Sequence, residues 1–282
     1  MFPPLRSQFR PNIRATSSWS IWEWPHTRLS ETSSAIPEQP HAQKLASQLP
    51  GMDTKKAIEV LMKFTSERRA QTFRRCLQLR TSRVRTLFES PSNYNNVFAS
   101  LRTLDSFGVH HTDIVNTSGK RGKGNSRRQS MLSSLGAIKW LSINHHTKAA
   151  KDVILELKKR EPELCVFVSD IHSKNSQSLY DLDWTSKHPK VVVFGNEELG
   201  VSDEVRAIAD VSFYIPMKGL TESLNLSASV AVIFATLERQ GALTPNLSDD
   251  EMDSILLQWL ISSVKGGEAI LRREFRQPGL PS

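Results

Sequence analysis

Three short segments of the 282-residue chain combine polar side chains with glycines or with the start of an apolar stretch. The first runs from Asn96 to Arg102, and its apolar periodicity predicts a helix that Asn96 caps at the N-terminus. Arg102 follows six residues later, roughly 600° around the helix, so the two side chains do not share a face. By itself this segment predicts a capped helix that carries an arginine.

The second segment, 191–202, is an apolar stretch that ends in a turn between Gly195 and Gly200, with Glu197 inside it. Open parallel sheets bind ligands beyond the carboxyl ends of their strands. Glycine allows a backbone to approach a ligand closely or to adopt a positive φ. A plain strand-to-helix turn would not require two glycines around an acid, so this pattern predicts a ligand-binding turn.

The third segment, 215–227, begins at Ile215 and leads through a proline and a glycine into a helix rich in small residues. Ser223, Asn225 and Ser227 alternate with apolar residues at the entry to this helix. A helix cap accounts for one of these polar residues. It does not account for all three, so the segment favours a role in orienting a ligand.

Strand-like and helix-like patterns alternate along the rest of the chain, which predicts an α/β fold with a parallel sheet covered by helices on both faces. The predicted strands are 109–116, 138–143, 164–169, 191–194 and 211–215. The predicted helices are 54–79, 96–107, 127–135, 147–160, 204–209, 224–240 and 250–265. Two cysteines, far apart in the sequence, predict neither a disulfide framework nor a zinc site.

Positive charge is concentrated in two clusters, and the formal net charge of the chain is +8. One cluster lies in the predicted helix and just after it, and the other lies in a loop rich in glycine and serine. Like charges repel unless a partner neutralises them, so we favour contacts to RNA phosphates over a merely solvated surface. The expected contacts are Arg68, Arg69, Arg74, Arg75, Arg80, Lys120 and Arg121.

The first 50 residues differ in composition from the rest. Arg6, Arg10 and Arg14 occur among several serines and threonines, and no acidic residue precedes Glu23. This composition is typical of a mitochondrial or chloroplast transit peptide and favours a targeting segment over a disordered tail with no targeting function. No apolar run approaches the roughly 20 residues of a membrane-spanning helix, so no membrane span is predicted.

Taken in order and with their approximate spacing, segments 96–102, 194–202 and 215–227 resemble the three signature motifs of the SpoU/TrmH family. Members of this family are S-adenosylmethionine-dependent ribose 2′-O-methyltransferases. The similarity extends from about residue 65 to residue 240, and more loosely over 257–280. The arginine-rich segment before the first motif resembles the N-terminal tRNA-binding extension of the TrmH branch. Leu104 and Leu226 depart from the usual pattern but leave its polar residues intact.

The resemblance implies the SPOUT fold, an α/β fold with a deep C-terminal trefoil knot, and a homodimer with the site at its interface. It implies that S-adenosyl-L-methionine binds at Ser169, Gly195, Gly200, Ile215 and Leu224. Arg102 would act on the ribose 2′-hydroxyl, either as the base or as the activating group. The other residues implied in the catalytic site are Asn96, Glu197, Ser223 and Asn225. No metal is implied.

The expected substrate is a D-loop guanosine of tRNA, with ribosomal RNA as an alternative. A non-catalytic RNA-binding protein that has kept the fold is the other alternative, but a binder need not retain the full set of polar motif residues. The predicted organisation is a transit peptide and linker at 1–50 and an arginine-rich helical extension at 51–88. The methyltransferase domain is predicted at 89–243 and a C-terminal helical extension at 244–282.

Overall fold

A parallel β-sheet forms the centre of the computed structural model, which describes residues 45, 49, 51–117 and 136–276. The strands in this part of the chain are β1 Val84–Glu89, β2 His111–Val115, β3 Ser142–His146, β4 Cys165–Ser169, β5 Gln177–Ser178, β6 Lys190–Phe194 and β7 Val211–Tyr214. They lie in the order β3-β2-β1-β6-β4-β7-β5, and every neighbouring pair is parallel. The prediction of a parallel α/β sheet is confirmed.

Helices cover the sheet and extend beyond it. Their bounds are α1 Thr54–Met62, α2 Glu67–Leu77, α3 Tyr94–Ser106, α4 Ala150–Arg160, α5 Asp203–Arg206, α6 Leu226–Arg239, α7 Asp249–Ser263 and α8 Gly267–Glu274. A short 3-10 helix, Ala137–Trp140, precedes β3. In the portion of the chain that the structure describes, none of these helices combines the length and the apolar character needed to cross a membrane.

Each face of the sheet has its own apolar core, because successive strand residues point to opposite sides. On one face, Phe88 and Phe194 stack with ring centroids 5.5 Å apart and pack with α3 and α6. On the other face, Leu87 and Val193 pack with α4 and α5. The central strands are therefore apolar on both sides, which explains the continuous apolar runs in the sequence.

A third core joins α1, α2, α7 and α8 into a helical layer. Phe73 of α2 and Trp259 of α7 have ring centroids 5.4 Å apart. The indole of Trp259 also donates a hydrogen bond to the carbonyl of Trp140 (3.1 Å), which connects this layer to the segment before β3. Leu45 and Leu49 are buried in the same core, so packed structure begins before the predicted boundary at residue 50.

The prediction of one continuous helix over 54–79 is wrong, because the chain leaves the helical path after Met62 and re-enters it at Glu67. The hydroxyl of Thr65 donates to the carbonyl of Leu61 (3.2 Å), and Ser66 adopts an extended conformation as the N-cap of α2. Serine and threonine favour such caps and turns over helix interiors, since their hydroxyls compete for backbone partners.

The last part of the predicted extension, Val84–Glu89, forms strand β1 of the sheet. The predicted strand 138–143 is partly wrong, since the 3-10 helix occupies its first half. The other predicted strands and helices agree with the structure to within a few residues. The predicted helix 127–135, the transit segment, Lys120 and Arg121 lie outside the described residues.

Candidate active site at the carboxyl edge of the sheet

The predicted cofactor residues meet at one edge of the sheet. Ser169 is the last residue of β4, and it lies level with Phe194 in β6 and Phe213 in β7. Gly195 follows β6 directly, and Ile215 follows β7. Because the strands are parallel, the loops after them emerge side by side, as expected for a ligand site in an open α/β sheet.

The turn after β6 closes on itself between Asn196 and Gly200, whose backbone N–H and C=O groups exchange two hydrogen bonds of 2.9 Å. A Cβ atom on Gly195 would lie 2.3 Å from the carbonyl carbon of Gly200, closer than real Cβ contacts come. Gly200 has φ +68°. Both glycines are therefore required by the backbone path, one for close approach and one for its left-handed conformation.

Two residues that the sequence did not single out hold this turn in place. Asn196 donates through its side-chain amide to the carbonyl of Ser90 (2.7 Å), and it accepts from the backbone N–H groups of Glu198 and Leu199. The buried carboxylate of Glu89 accepts from the N–H and hydroxyl of Ser202 at 3.0 and 2.6 Å. The position of Asn196 inside the Gly195–Gly200 turn was the available signal. Nothing in the sequence marked Glu89.

The loop after β4 is anchored to the same region through Asp170, which is buried. The guanidinium of Arg206 in α5 donates to its carboxylate (2.6 Å), and the N–H of His172 donates to the other oxygen (2.9 Å). The hydrogen bond to Asp170 raises the pKa of Arg206 above its ordinary value. The loops after β4 and β6 therefore share α5 as a common support.

Glu197 connects the turn after β6 to the start of α3. One carboxylate oxygen accepts from the N–H and the hydroxyl of Ser92, both at 2.8 Å, and the other accepts from the side-chain amide of Asn96 at 3.1 Å. Partial burial acts to raise the pKa of Glu197, but the hydrogen bonds from Asn96 and Ser92 outweigh it and lower the pKa below its ordinary value. The group is therefore an ionised acceptor at neutral pH.

Asn96 and Asn225 extend this network to α6. The side-chain amide of Asn225 donates to the side-chain oxygen of Asn96 (3.0 Å), while its own oxygen accepts from the N–H of Ser227 and caps α6. The prediction that Asn96 caps α3 is wrong. Asn93 is the N-cap, and Asn96 lies in the first helical turn with its side chain turned towards Glu197.

Arg102 and Ser223 are not part of this network. Both side chains are exposed, and within the described residues neither forms a side-chain hydrogen bond or ion pair. Arg102 lies six residues beyond Asn96 on α3, about 9 Å along the helix axis. The structure thus joins Glu197, Asn96 and Asn225 through hydrogen bonds. Arg102 and Ser223 are close to these residues in the sequence, but their side chains are exposed to solvent.

Most of the predicted RNA contacts are accessible. Arg68, Arg74 and Arg75 are exposed on α2, and Arg69 is half-buried there. Arg80 is different, since it is only 4% exposed, forms an ion pair with Asp105 and donates to the carbonyl of Val109 (3.2 Å). Its charge is already neutralised inside the fold, so Arg80 is removed from the predicted RNA contacts.

Fold and site together define a class: a parallel α/β protein whose carboxyl edge carries a glycine turn joined by an Asn–Glu–Asn network to two helices. A sequence model described as the SpoU rRNA Methylase family matches residues 83–235, more than half of the chain. This chain belongs to that family. The SpoU/TrmH resemblance is therefore confirmed.

Individual relatives agree with this assignment. The tRNA (guanosine(18)-2′-O)-methyltransferase of Aquifex aeolicus is 32% identical over 203 residues, which cover 70% of this chain and 91% of that protein. The Escherichia coli protein of the same name is 29% identical over 195 residues, covering 66% of this chain and 76% of that protein. The crystal structure of the A. aeolicus TrmH/SpoU tRNA modifying enzyme gives a TM-score of 0.61 at 31% identity. It covers 71% of this chain and 98% of that one, and the predicted SPOUT fold class is confirmed.

Proposed function

We propose that this chain transfers a methyl group from S-adenosyl-L-methionine to the ribose 2′-hydroxyl of a guanosine in tRNA. The observation that carries the proposal is the Asn96–Glu197–Asn225 network, which joins all three sequence motifs at the carboxyl edge of the sheet. Relatives at 29–32% identity are named tRNA (guanosine(18)-2′-O)-methyltransferases, which supports guanosine 18 as the target.

The loops at this edge offer suitable partners for S-adenosyl-L-methionine. Its adenine ring needs apolar contacts, and its ribose and amino-acid end need polar ones. Leu199 is 83% exposed and Leu220 is fully exposed, on the loops after β6 and β7 respectively. Half-buried Ile215 and Leu224 border the second of these loops, and Ser169 ends β4. Exposed large apolar residues beside polar strand ends are typical of a ligand site.

Glu197 and Arg102 have different parts in the proposed reaction. When bound, S-adenosyl-L-methionine supplies an electrophilic methyl group on a sulfonium centre. Glu197 keeps the start of α3 against the turn after β6, and its lowered pKa makes it a poor base. Arg102 donates hydrogen bonds to the ribose or its phosphate and stabilises negative charge as the 2′-oxygen passes its proton to a substrate phosphate oxygen or to solvent and forms its bond to the methyl carbon. This role as an activator fits a guanidinium, which stays protonated in proteins.

A homodimer would complete the site, and we include it in the proposal together with the C-terminal trefoil knot. The exposed side chain of Arg102 lacks a partner among the described residues of its own chain, which supports a second subunit beside it. Light scattering should give twice the mass of one chain. Mixing the impaired variants Arg102→Ala and Gly195→Ala should give more activity than either variant alone, because one composite site would then contain both native residues. No recovery from a confirmed mixed dimer would contradict a shared site.

A methyl-transfer assay tests the activity directly. Purified protein is incubated with S-adenosyl-L-methionine carrying a radioactive methyl group and with unmodified tRNA, and the methylated nucleoside is mapped. We expect 2′-O-methylguanosine at position 18, and none when that guanosine is replaced by 2′-deoxyguanosine. Ribosomal RNA in a parallel reaction distinguishes the alternative substrate. RNA binding without transfer to either RNA would identify a non-catalytic binder and overturn the proposal.

We further propose that the first 50 residues direct the protein to a mitochondrion or chloroplast. The support is compositional: Arg6, Arg10 and Arg14 occur with serines and threonines and without acids. A fluorescent protein fused to residues 1–50 should enter one of these organelles, and replacing the three arginines with glutamate should prevent entry. Uniform cytosolic fluorescence of the unaltered fusion would contradict targeting.

A further inference from the structure

A polar cleft lies on the face of the sheet opposite α3, between α4 and the β1–β2–β3 side of the sheet. Its volume is about 550 Å³, enough for a nucleotide. Arg85, Asp113 and Asn144 are strand residues that point to this face. The charged and polar residues that line the cleft include Arg85, Asp113, Asn144, His146, Lys148 and Arg160. None of them belongs to the three motifs, so the proposed methyl transfer leaves this cleft unexplained.

Asp113 is the central feature of the cleft because its carboxylate is buried, with 1% of the residue exposed. One oxygen, Oδ1, lies 3.2 Å from the donating amide of Asn144 and 2.8 Å from Nε2 of His146. The other oxygen, Oδ2, is buried and accepts no hydrogen bond within the described chain. Buried polar atoms are nearly always satisfied, so this oxygen indicates a ligand that donates to it.

Arg85 lies next to this buried oxygen but donates no hydrogen bond to it, and because the oxygen has almost no solvent-accessible area, a ligand reaches it only when the Arg85 side chain moves. Its Nη1 atom is 3.8 Å from Oδ2 of Asp113, while its Nη2 atom donates to Glu161 at 2.7 Å. The cleft therefore presents a hydrogen-bond acceptor and a guanidinium donor beside each other. A ligand that carries hydrogen-bond donors and an acceptor along one edge would bind both the carboxylate and the guanidinium.

The rim of the cleft carries two cations, Lys148 and Arg160, and one carboxylate, Glu156. Lys148 forms an ion pair with Glu156, and Arg160 at the end of α4 is exposed. Within the described residues Arg160 has no ion pair, so its charge remains available. A carboxylate at the floor with a cation at the rim matches a nucleotide, whose base carries donors and whose phosphate is an anion.

We propose that this cleft binds a guanosine phosphate, with the base against Asp113 and Arg85 and the phosphate against Arg160. Guanine is favoured among the bases because its N1–H and N2–H groups are adjacent donors for a carboxylate, and its O6 is an acceptor for a guanidinium. The ligand is either a guanosine of the RNA substrate or a free nucleotide. The RNA form rests on the proposed function, since it makes the cleft a second contact to the methylated RNA.

Binding of the four nucleoside monophosphates to the full chain, measured by calorimetry, tests the proposal. GMP should bind about tenfold more tightly than AMP, CMP or UMP, and Asp113→Asn should weaken GMP binding about tenfold. The unfolding temperature of the variant shows whether it is folded. Arg160→Gln changes only an exposed residue, and it should weaken binding of GMP but not of guanosine. Lys187→Gln, an exposed lysine that precedes β6 and does not line the cleft, is the matched control and should change neither affinity.

Absence of GMP binding, equal affinity for all four nucleotides, or unchanged GMP affinity in both variants would overturn the proposal. The methyl-transfer assay identifies the source of the ligand. A raised KM for tRNA with unchanged kcat in Asp113→Asn assigns the cleft to an RNA guanosine. An unchanged KM with lost GMP binding assigns it to a free nucleotide. GMP binding is measured without methyl transfer, so failure of the proposed function and failure of the cleft give separate results.

Discussion

Glu197 and Arg102 are both predicted to belong to the catalytic site, but their surroundings in the structure differ. Glu197 accepts hydrogen bonds from the start of α3 on both carboxylate oxygens, so its charge is used to hold two elements together. Arg102 extends from the same helix into solvent. A substitution of Glu197 is therefore expected to disturb the arrangement of the site, whereas a substitution of Arg102 should disturb only the reaction.

Arg102→Ala should lower kcat for methyl transfer by about a hundredfold or more, the usual scale for losing a group that stabilises charge in a transition state. The unfolding temperature should stay unchanged, because the side chain is exposed and contributes no contact within the described fold. Single-turnover transfer and thermal unfolding measure the two quantities. Lys187→Gln serves as the control for loss of a surface cation. Wild-type kcat in Arg102→Ala would remove this residue from the reaction.

Gly195→Ala should reduce both the stability of the protein and its affinity for S-adenosyl-L-methionine. The added Cβ would lie 2.3 Å from the backbone of Gly200, so the turn after β6 would have to move. We expect a loss of stability on the order of 1–3 kcal/mol, as for other forced backbone shifts. Gly219→Ala is the matched control for stability, because its nearest atom would be 3.9 Å away. An unchanged unfolding temperature in Gly195→Ala would contradict this account.

The sequence predicted the polar residues of the site better than their partners. Asn96 and Asn225 were found because they occur at fixed positions in motifs, but their contact with each other depends on helices 129 residues apart in the chain. Glu89 is the last residue of a strand that follows the arginine cluster, and no sequence pattern predicted its contact with Ser202. Arg80 was misread for a similar reason, since charge alone does not reveal a buried carboxylate partner.

Among the elements, apolar strands that are buried on both faces were the easiest to predict. β4 and β6 are continuous apolar runs, and both were found. β1 was missed because Arg85 and Thr86 interrupt its apolar pattern. In the structure these polar groups are satisfied: Thr86 pairs with Thr112 at 3.0 Å and Arg85 pairs with Glu161 at 2.7 Å. Such partners come from distant segments, so local periodicity cannot show them.

Helix α2 gives a prediction about RNA binding. Replacing Arg74 and Arg75 with glutamine should weaken tRNA affinity and reduce the slope of log K against log salt by about one unit per lost phosphate contact. Stability should change little, because both side chains are exposed. Filter binding over a range of salt concentrations measures the slope, with Lys187→Gln as the control. The same slope in the double variant and the wild type would show that α2 is a solvated surface.

In the whole molecule, the helical layer and the sheet are joined through Arg80. Its guanidinium lies 5.0 Å from the ring centroid of Trp259 in α7, and it pairs with Asp105 in the segment that covers the sheet. Asn246 adds a second link, since its side-chain oxygen accepts from the hydroxyl of Thr81 at 2.8 Å. These contacts connect the helical layer that contains α2 to the sheet.

The region where the helical layer meets the sheet also contains His110 and His111, whose ring centroids are 4.9 Å apart. His110 is buried, and its Nδ1 accepts or donates no hydrogen bond in the described part of the chain. Burial, with smaller contributions from His111 and Arg80, lowers the pKa of His110 well below its ordinary value. The pKa of His111 is lowered to about 4, chiefly by burial and then by the charge of Arg85, while Asp113 and Glu251 act in the opposite direction.

Both histidines should therefore make the fold sensitive to acid. In the unfolded chain they take up protons near pH 6.5, whereas in the folded chain His111 remains neutral until about pH 4 and the pKa of His110 is well below its ordinary value. Their unfolded forms thus bind more protons in this window, so stability is complete above pH 6.5 and falls as the pH decreases towards 4. For His111 the loss is at most about 3 kcal/mol at 1.36 kcal/mol per pKa unit.

Urea unfolding between pH 7.5 and pH 4 measures this loss. His111→Gln should flatten the pH dependence of the free energy of unfolding, since glutamine cannot be protonated, and His188→Gln, at an exposed histidine before β6, is the control substitution. The flattening is expected even if the variant is less stable at neutral pH, because the slope and the absolute stability are separate quantities. An identical slope in His111→Gln and the wild type would show that the acid sensitivity arises elsewhere in the molecule.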